Sequence, residues 1–535
     1  MQTKTMKKIH QYILVVCLFS MAACSKSFLD TEDVTNATEQ NFYKTPNDAY
    51  KALVGAYDGL QRVWADGVAL PLAAEILSDN AFGGTGNSDG FGYQLLDEFD
   101  KLRSPADQNM YGGNWIAYYK AIYRCNMLLG KIDEIDFKGD EELRMQYTAE
   151  ARFIRAYLYF DMVRLWGNIP LLTAPSTENL PPASADEVYQ VITEDLVFAA
   201  ENLPPITRPA QPAASFGRVT RWAAASMIGR VYLYYTGYYG KADLVGLVSK
   251  AQALGYLEEV IAGSGHELVA DFSHLWPAAS LDDFAGEDNL ETIFSIRYTY
   301  TSDYDGNTDG NHWMVMMGMR EQSSFPYGNG WGGSTVNPKL WNAFSATDTR
   351  KSASIISIVD EEIDFTMKAN QREYTGFYNK KYSPMSDEAG NSLAVKLGAV
   401  NFMIGQFQDY TAIRYADVLL MAAELGAANA QGYFDAVRQR AYGNNFTALT
   451  VSQENIIKER RLEFAGEGIR YWDLLRQGID AAAAAIAEST TVENGGVVTA
   501  KTIVAEKIKQ TMGLQQIPNT QITLSNNVLV QNAGW

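Results

Sequence analysis

The sequence predicts a mainly α-helical protein built from tetratricopeptide-like helical pairs, with a long irregular loop-rich region and few short strands. Three observations predict it. Apolar residues recur at helical spacing in three long zones. Within these zones Ala, Leu and Tyr occupy the packing positions of helix pairs, on the scale of about 34 residues that marks tetratricopeptide units. Between them the composition shifts to Gly, Asp, Asn and aromatic residues, which favour turns and loops over a packed helical face.

The first residues precede any fold. Lys7 and Lys8 give a basic start, an apolar run extends from Ile13 to Phe19, and Met21-Ala22-Ala23-Cys24 closes it. That run is far shorter than the ~20 apolar residues that span a bilayer. It reads as a lipoprotein signal over residues 1–23, with Cys24 acylated as the lipid anchor and first mature residue. Residues 24–38 form an acidic tether, with Asp30, Glu32 and Asp33, too polar to bury a core.

The helical scaffold is expected over 39–265, interrupted by a loop insertion at 62–113. Its helices are placed at 39–62, 114–132, 142–166, 186–202, 217–238 and 246–262. Residues 266–408 form an irregular, ligand-facing region with one strand, Thr292–Tyr300. A fourth helical pair at 411–426 and 430–442 and a following helix at 453–477 occupy 409–480, and 481–535 is a C-terminal segment.

Charge and cysteine content narrow the function. The chain carries 63 acidic against 44 basic residues, and removing the signal takes off three lysines. Nucleic acid is excluded as a partner, because binding it needs a basic surface. Cys17 lies in the signal and Cys24 is the anchor, so Cys125 stands alone in an apolar helix as a buried, inert thiol. An exported chain without an internal disulfide must draw its stability from a large core, which an apolar fraction of 47% permits.

Several segments together resemble the SusD/RagB family of Bacteroidetes surface lipoproteins. They are Glu150-Ala151-Arg152-Phe153-Ile154-Arg155-Ala156-Tyr157 running into Leu165-Trp166-Gly167-Asn168-Ile169-Pro170-Leu171; Ile413-Arg414-Tyr415-Ala416-Asp417 through Glu424; and Glu459-Arg460-Arg461-Leu462-Glu463-Phe464-Ala465 through Glu467-Gly468-Ile469-Arg470-Tyr471-Trp472-Asp473-Leu474. Asp348-Thr349-Arg350 and the terminal Gln531-Asn532-Ala533-Gly534-Trp535 match as well. Gly466, Ile469 and Leu475 depart from the family's usual residues. The resemblance implies a SusD-like helical fold and a non-enzymatic role: an outer-membrane, cell-surface subunit that binds glycan and delivers it to a SusC-like TonB-dependent transporter. The same uptake role for peptides is the alternative, and a secreted glycoside hydrolase is a weaker one. The polar residues of these segments, among them Glu467, Arg470, Asp473, Arg414 and Asp417, read as an interhelical ion network that fixes register.

Sugars present C–H faces and hydroxyl edges, so their binding calls for aromatic platforms beside short polar side chains. Two loop regions offer that mix. The ligand-binding candidates are Trp64, Asp79, Asn80 and Phe91 in the first, and Tyr304, Trp313, Tyr327, Asn329 and Trp331 in the second. Asp303, Asp305, Asn307 and Asp309 place oxygens at alternate positions and form a weak calcium candidate, although Thr308 and Met314 stand where an EF-hand needs Gly and Glu. No other cofactor is implied. Gly86-Asn87-Ser88-Asp89-Gly90 matches the nucleophile-elbow string but lacks an apolar strand leading into it.

Overall fold

The computed structural model describes residues 42–65, 67–100 and 109–535. Cys24, the signal and the tether lie outside the described residues. Eight helices form the scaffold: α1 (Pro46–Arg62), α2 (Gly112–Lys131), α3 (Glu141–Trp166), α4 (Ala185–Asn202), α5 (Arg221–Tyr239), α6 (Lys250–Gly263), α7 (Tyr415–Glu424) and α8 (Ala430–Tyr442). Each packs against the next, and α7 lies on α6 although the whole irregular region separates them in sequence. Five of these helices, α1 and α3–α6, start with a side-chain cap. Thr45 with Asp48, Ser184 with Glu187 and Ser249 with Gln252 form capping boxes, which satisfy amide groups that a helix leaves free. The central α3 is buried from Tyr147 to Trp166 on nearly every side, so it serves as the shared core of its neighbours. Cys125 is buried on α2, where desolvation pushes its thiol up to about 12 and keeps it inert. Among the described residues no helix is long and apolar enough to cross a membrane.

Strands are short and join distant segments: β1 (Ala81–Phe82), β2 (Thr292–Ile296), β3 (Thr335–Val336), β4 (Ile355–Ser357), β5 (Phe377–Asn379), β6 (Tyr410–Arg414), β7 (Glu488–Asn494) and β8 (Val497–Ile503). One sheet has the order β1-β3-β5-β4, β2 pairs antiparallel with β6, and β7–β8 is a hairpin. Two expectations need correction here. The helix placed at 411–426 begins only at Tyr415, because Tyr410–Arg414 is extended and paired with β2. The helix placed at 453–477 is two helices, α9 (Gln453–Glu463) and α10 (Arg470–Leu475), broken where Gly466 and Gly468 adopt φ of +79° and +74°. A Cβ on Gly466 would lie 2.5 Å from the Asn379 side-chain nitrogen, so the position leaves no room for a bulky residue.

That break delivers charges to the interior. Arg414 binds Glu291 (2.7 Å), Glu463 (2.5 Å) and Glu467 (2.9 Å), and Lys381 binds Glu467 at 2.6 Å. Arg350 reaches Asp348, Glu459 and Glu463 at 2.6–2.9 Å, and Arg440 closes the cluster on Glu291 and Glu463. A second cluster joins Asp417 to Arg230 and Arg460, and Asp473 to Arg460 and Arg476. All of these acidic groups are buried. The segments therefore hold an ion network, as their residues suggest; most of its pairs run between elements, with Asp473–Arg476 at i,i+3 spacing and Asp348–Arg350 as local exceptions. Burial would raise the Glu463 and Asp417 carboxyls, but the surrounding guanidinium groups outweigh it and hold both well below the usual carboxylate range.

Two outcomes follow. Replacing Arg414 with Met leaves three carboxylates short of a cation and should cost about 3–5 kcal/mol in denaturant unfolding. Because folding depresses the carboxyls of Glu463 and Asp417, their stabilisation is complete above the ordinary values of 4.5 and 3.8 and is lost as pH falls below them. The midpoint for wild type should drop steeply in acid, and the R414M variant should show a shallower drop.

Candidate functional site

The two loop regions singled out by composition meet in one pocket of about 720 Å³. Gly67 and Val68 just beyond α1, Thr85, Asp89, Gly90, Gly92, Tyr93, Asn109, Met110, Met316, Arg320, Glu321 and Trp331 line it. Backbone hydrogen bonds sew the loops together: Thr85 N–H donates to the Gly332 carbonyl (2.6 Å), and Arg372 N–H to the Thr85 carbonyl (2.8 Å). Beneath them Lys501, on β8, donates to Asp97 (2.7 Å), Glu98 (3.0 Å) and Glu373 (2.6 Å). Asp97 and Glu373 in turn accept the amides of Gly83 and Gly84. Burial and the neighbouring Glu373 push the Asp97 carboxyl up against the pull of Lys501. Among the described residues this is the one trio of acidic, His or Cys side chains close enough to hold a metal, and the Lys501 ammonium already serves it as the cation.

The pocket floor is strained and polar. Thr85 is β-branched yet sits at φ +86°, a conformation that costs about 1–3 kcal/mol and persists only where the surroundings impose it. Its hydroxyl is buried without a hydrogen-bond partner, and so is Nε of Arg320. The remaining guanidinium nitrogens of Arg320 bind Asp89 (3.1 Å) and Glu321 (2.9 Å). Gly86 makes room for that guanidinium, since a Cβ there would lie 2.1 Å from Nη2. Trp331 stands half-buried on the wall, with the His312 ring edge-on at 5.5 Å.

Most of the aromatic and polar candidates have other duties. Trp64 and Trp313 are buried, meet edge to face, and pack on Tyr410; Trp64 Nε1 donates to the Tyr118 hydroxyl. They join the helical scaffold to the irregular region and expose no face to a ligand. Asp79 is buried on Arg470 and Arg461, and Asn80 on Arg461 and Glu75. Tyr327 is buried with its hydroxyl donated to Glu361, and half-buried Asn329 lies outside the pocket lining. Tyr304 is exposed, accepts a hydrogen bond from Asn401, and also lies outside the lining. Phe91 is 49% exposed between the lining residues Gly90 and Gly92, with Arg372 over one face at 4.1 Å. Trp331 is thus the single candidate in the wall, with Phe91 at the lip.

The calcium candidate is likewise corrected. Asp303 accepts the amides of Asp305 and Asn307, and Asn307 accepts that of Asp309, so these oxygens close a turn on its own backbone. Ser88 lies in a surface turn with no strand running into Gly86, which removes the geometry a nucleophile elbow needs. Composition did not single out Thr85, Asp89, Met316, Arg320 and Glu321. One signal was present: Arg320 is the only basic residue from Met316 to Trp331.

If Gly86 seats Arg320, Gly86→Ala should destabilise the protein by about 1–3 kcal/mol in thermal unfolding. Gly90→Ala, where an added Cβ meets nothing within 4 Å, should stay near wild type.

The comparisons with known proteins agree with this architecture. A family model described as the SusD family matches residues 361–535, and one described as starch-binding associating with outer membrane matches residues 69–233. SusD-like protein P25 of Formosa agariphila is 26% identical, over 88% of this chain and 90% of that protein. A SusD-like protein of Bacteroides ovatus is 24% identical, over 86% and 81%. Among solved structures, surface glycan-binding protein A from Bacteroides fluxus superposes with a TM-score of 0.76 at 25% identity, covering 92% of this chain and 100% of that one. A laminarin-binding SusD-like protein does so with a TM-score of 0.72 at 28% identity, with the same coverage. The stacked helical pairs, the buried charges of the three segments and these matches along the chain make it a member of the SusD/RagB family.

Proposed function

We propose that this protein is a cell-surface glycan-binding subunit that holds an oligosaccharide in the Trp331 pocket and passes it to a TonB-dependent outer-membrane transporter. The observation that carries the reading is the pocket itself. An indole and a phenol ring (Trp331 and Tyr93), two methionines, and polar groups without partners converge in a space large enough for several sugar rings. The names of the similar proteins support a glycan as ligand, and laminarin is the first polysaccharide to test.

Binding without turnover is part of the proposal. Asp89 and Glu321, the carboxylates in the pocket, are both bound to the same guanidinium, that of Arg320, and do not stand as a free pair on either side of a ligand. Carboxyls that burial does push up, among them Glu287 to about 8, Glu75 to about 7, and Asp97, do not line this pocket. Anchoring at Cys24 also fits. The described chain enters at the start of α1 and the pocket lies beyond its other end, about 25 Å away at 1.5 Å per residue for 17 residues. The helix therefore acts as a spacer between tether and ligand.

Trp331→Ala should weaken oligosaccharide binding at least tenfold in calorimetry or affinity electrophoresis. Trp313→Ala should instead cost about 3–5 kcal/mol of stability. Incubation with glycans should release no new reducing ends; steady cleavage, or a W331A variant that binds like wild type, would overturn the reading. In cells, Cys24→Ala should move the protein from the membrane to the soluble fraction and end its co-purification with a large outer-membrane barrel.

A further inference from the structure

We infer that the pocket selects uncharged glycans and rejects acidic ones, with Asp89 and Glu321 as the selecting residues. The inference rests on the reading of this pocket as the glycan site and adds the class of sugar it takes.

Among the described residues three charged side chains line the pocket: Asp89, Arg320 and Glu321. Arg320 is the cation that would attract a uronate or a sulfate ester. Its side chain is only 7% exposed, and its two terminal nitrogens are already turned to carboxylates, Nη1 to Asp89 and Nη2 to Glu321. The carboxylates themselves are 41% and 43% exposed, so they stand toward the mouth while their cation stays at the floor. An incoming anion therefore meets two negative groups before it reaches a guanidinium that is doubly compensated. Like charges brought together in this way are a direct means of discrimination.

What the floor offers beyond that is neutral chemistry. The Arg320 Nε–H and the Thr85 hydroxyl are buried and unpartnered, and both suit a sugar hydroxyl. The fork that would grip a carboxylate in a bidentate manner is already spent. Nor is there a bare carboxylate to receive an ammonium. Besides Arg320, Glu321 accepts a hydrogen bond from the Asn370 amide at 2.5 Å. The wall residues Trp331, Met316 and Met110 are uncharged, and burial pushes the Tyr93 phenol up to about 12, so it stays neutral. A sugar hydroxyl can accept from these donors and also donate to Asp89 or Glu321, whereas a carboxylate or sulfate can only accept, and must do so beside two anions.

The test is a binding panel of laminari-, cello-, malto- and xylo-oligosaccharides against oligo-alginate and oligogalacturonate of matched length, at fixed ionic strength. At least one neutral oligosaccharide should bind at least tenfold more tightly than every uronate. The double variant Asp89→Asn, Glu321→Gln frees the guanidinium and should shift that ratio at least tenfold toward the uronates, with thermal melting reporting that it is folded. Without any variant, raising salt from about 0.05 M to about 0.5 M shortens the Debye length from ~14 Å to ~4 Å and should narrow the gap for wild type. Tighter binding of a uronate, or of chitosan oligomers, than of any neutral sugar would overturn the inference while leaving glycan binding intact. An unchanged ratio in the folded double variant would overturn the assignment to Asp89 and Glu321. Binding of no glycan at all would overturn the glycan site, and the selectivity with it.

Discussion

The structure depends on charge that is buried and satisfied. Arg414 ends a strand and finds Glu291 from one distant segment and Glu463 and Glu467 from another. A hydrophobic core specifies that side chains be apolar and of suitable volume, but it tolerates sliding. An ion cluster tolerates none, because a displaced partner strands a charge in the interior. The helices of the scaffold could pack in several registers. With Arg350, Arg414 and Arg440 sharing the same carboxylates, one register keeps every charge paired.

This explains which features were legible in the sequence. The stacked helices announced themselves through the spacing of residues such as Ala49, Leu53, Ala56 and Leu60 on α1, all buried. The charged residues of the three segments announced themselves because a buried ion pair accepts few substitutes, so a family resemblance concentrates there. The four-stranded sheet gave no such signal. Its strands are two or three residues long, too short for alternation to be visible, and Ala81 pairs with Val336 across the long stretch of chain between them. The break in the helix after Glu463 hid for a related reason: Gly466 and Gly468 interrupt a pattern whose polar spacing otherwise continues.

The pocket was legible as a neighbourhood and illegible as a set of residues. Trp313 and Trp331 sit eighteen positions apart in similar company, yet one is sealed against Tyr382 and Tyr410 while the other stands in a wall. Only tertiary contacts separate the two cases. The same holds for Asp79 and Asp89: the first locks onto Arg470 inside the scaffold, the second lies at the pocket mouth. The scaffold's buried ion clusters hold its shape, whereas the pocket is lined by loops whose sequence carries no fixed pattern.

The Lys501 contact has a consequence for the life of the chain. The pocket's glycine loop is held by Asp97 and Glu373, and both are held by a lysine 404 residues beyond the first. A polypeptide emerging amino-terminus first can form α1 and its neighbours early, but it cannot finish this cavity until its last strands arrive. The cavity is therefore among the last parts of the fold to close during synthesis. A chain truncated before the β7–β8 hairpin would hold a stack of helices around an unfinished cavity.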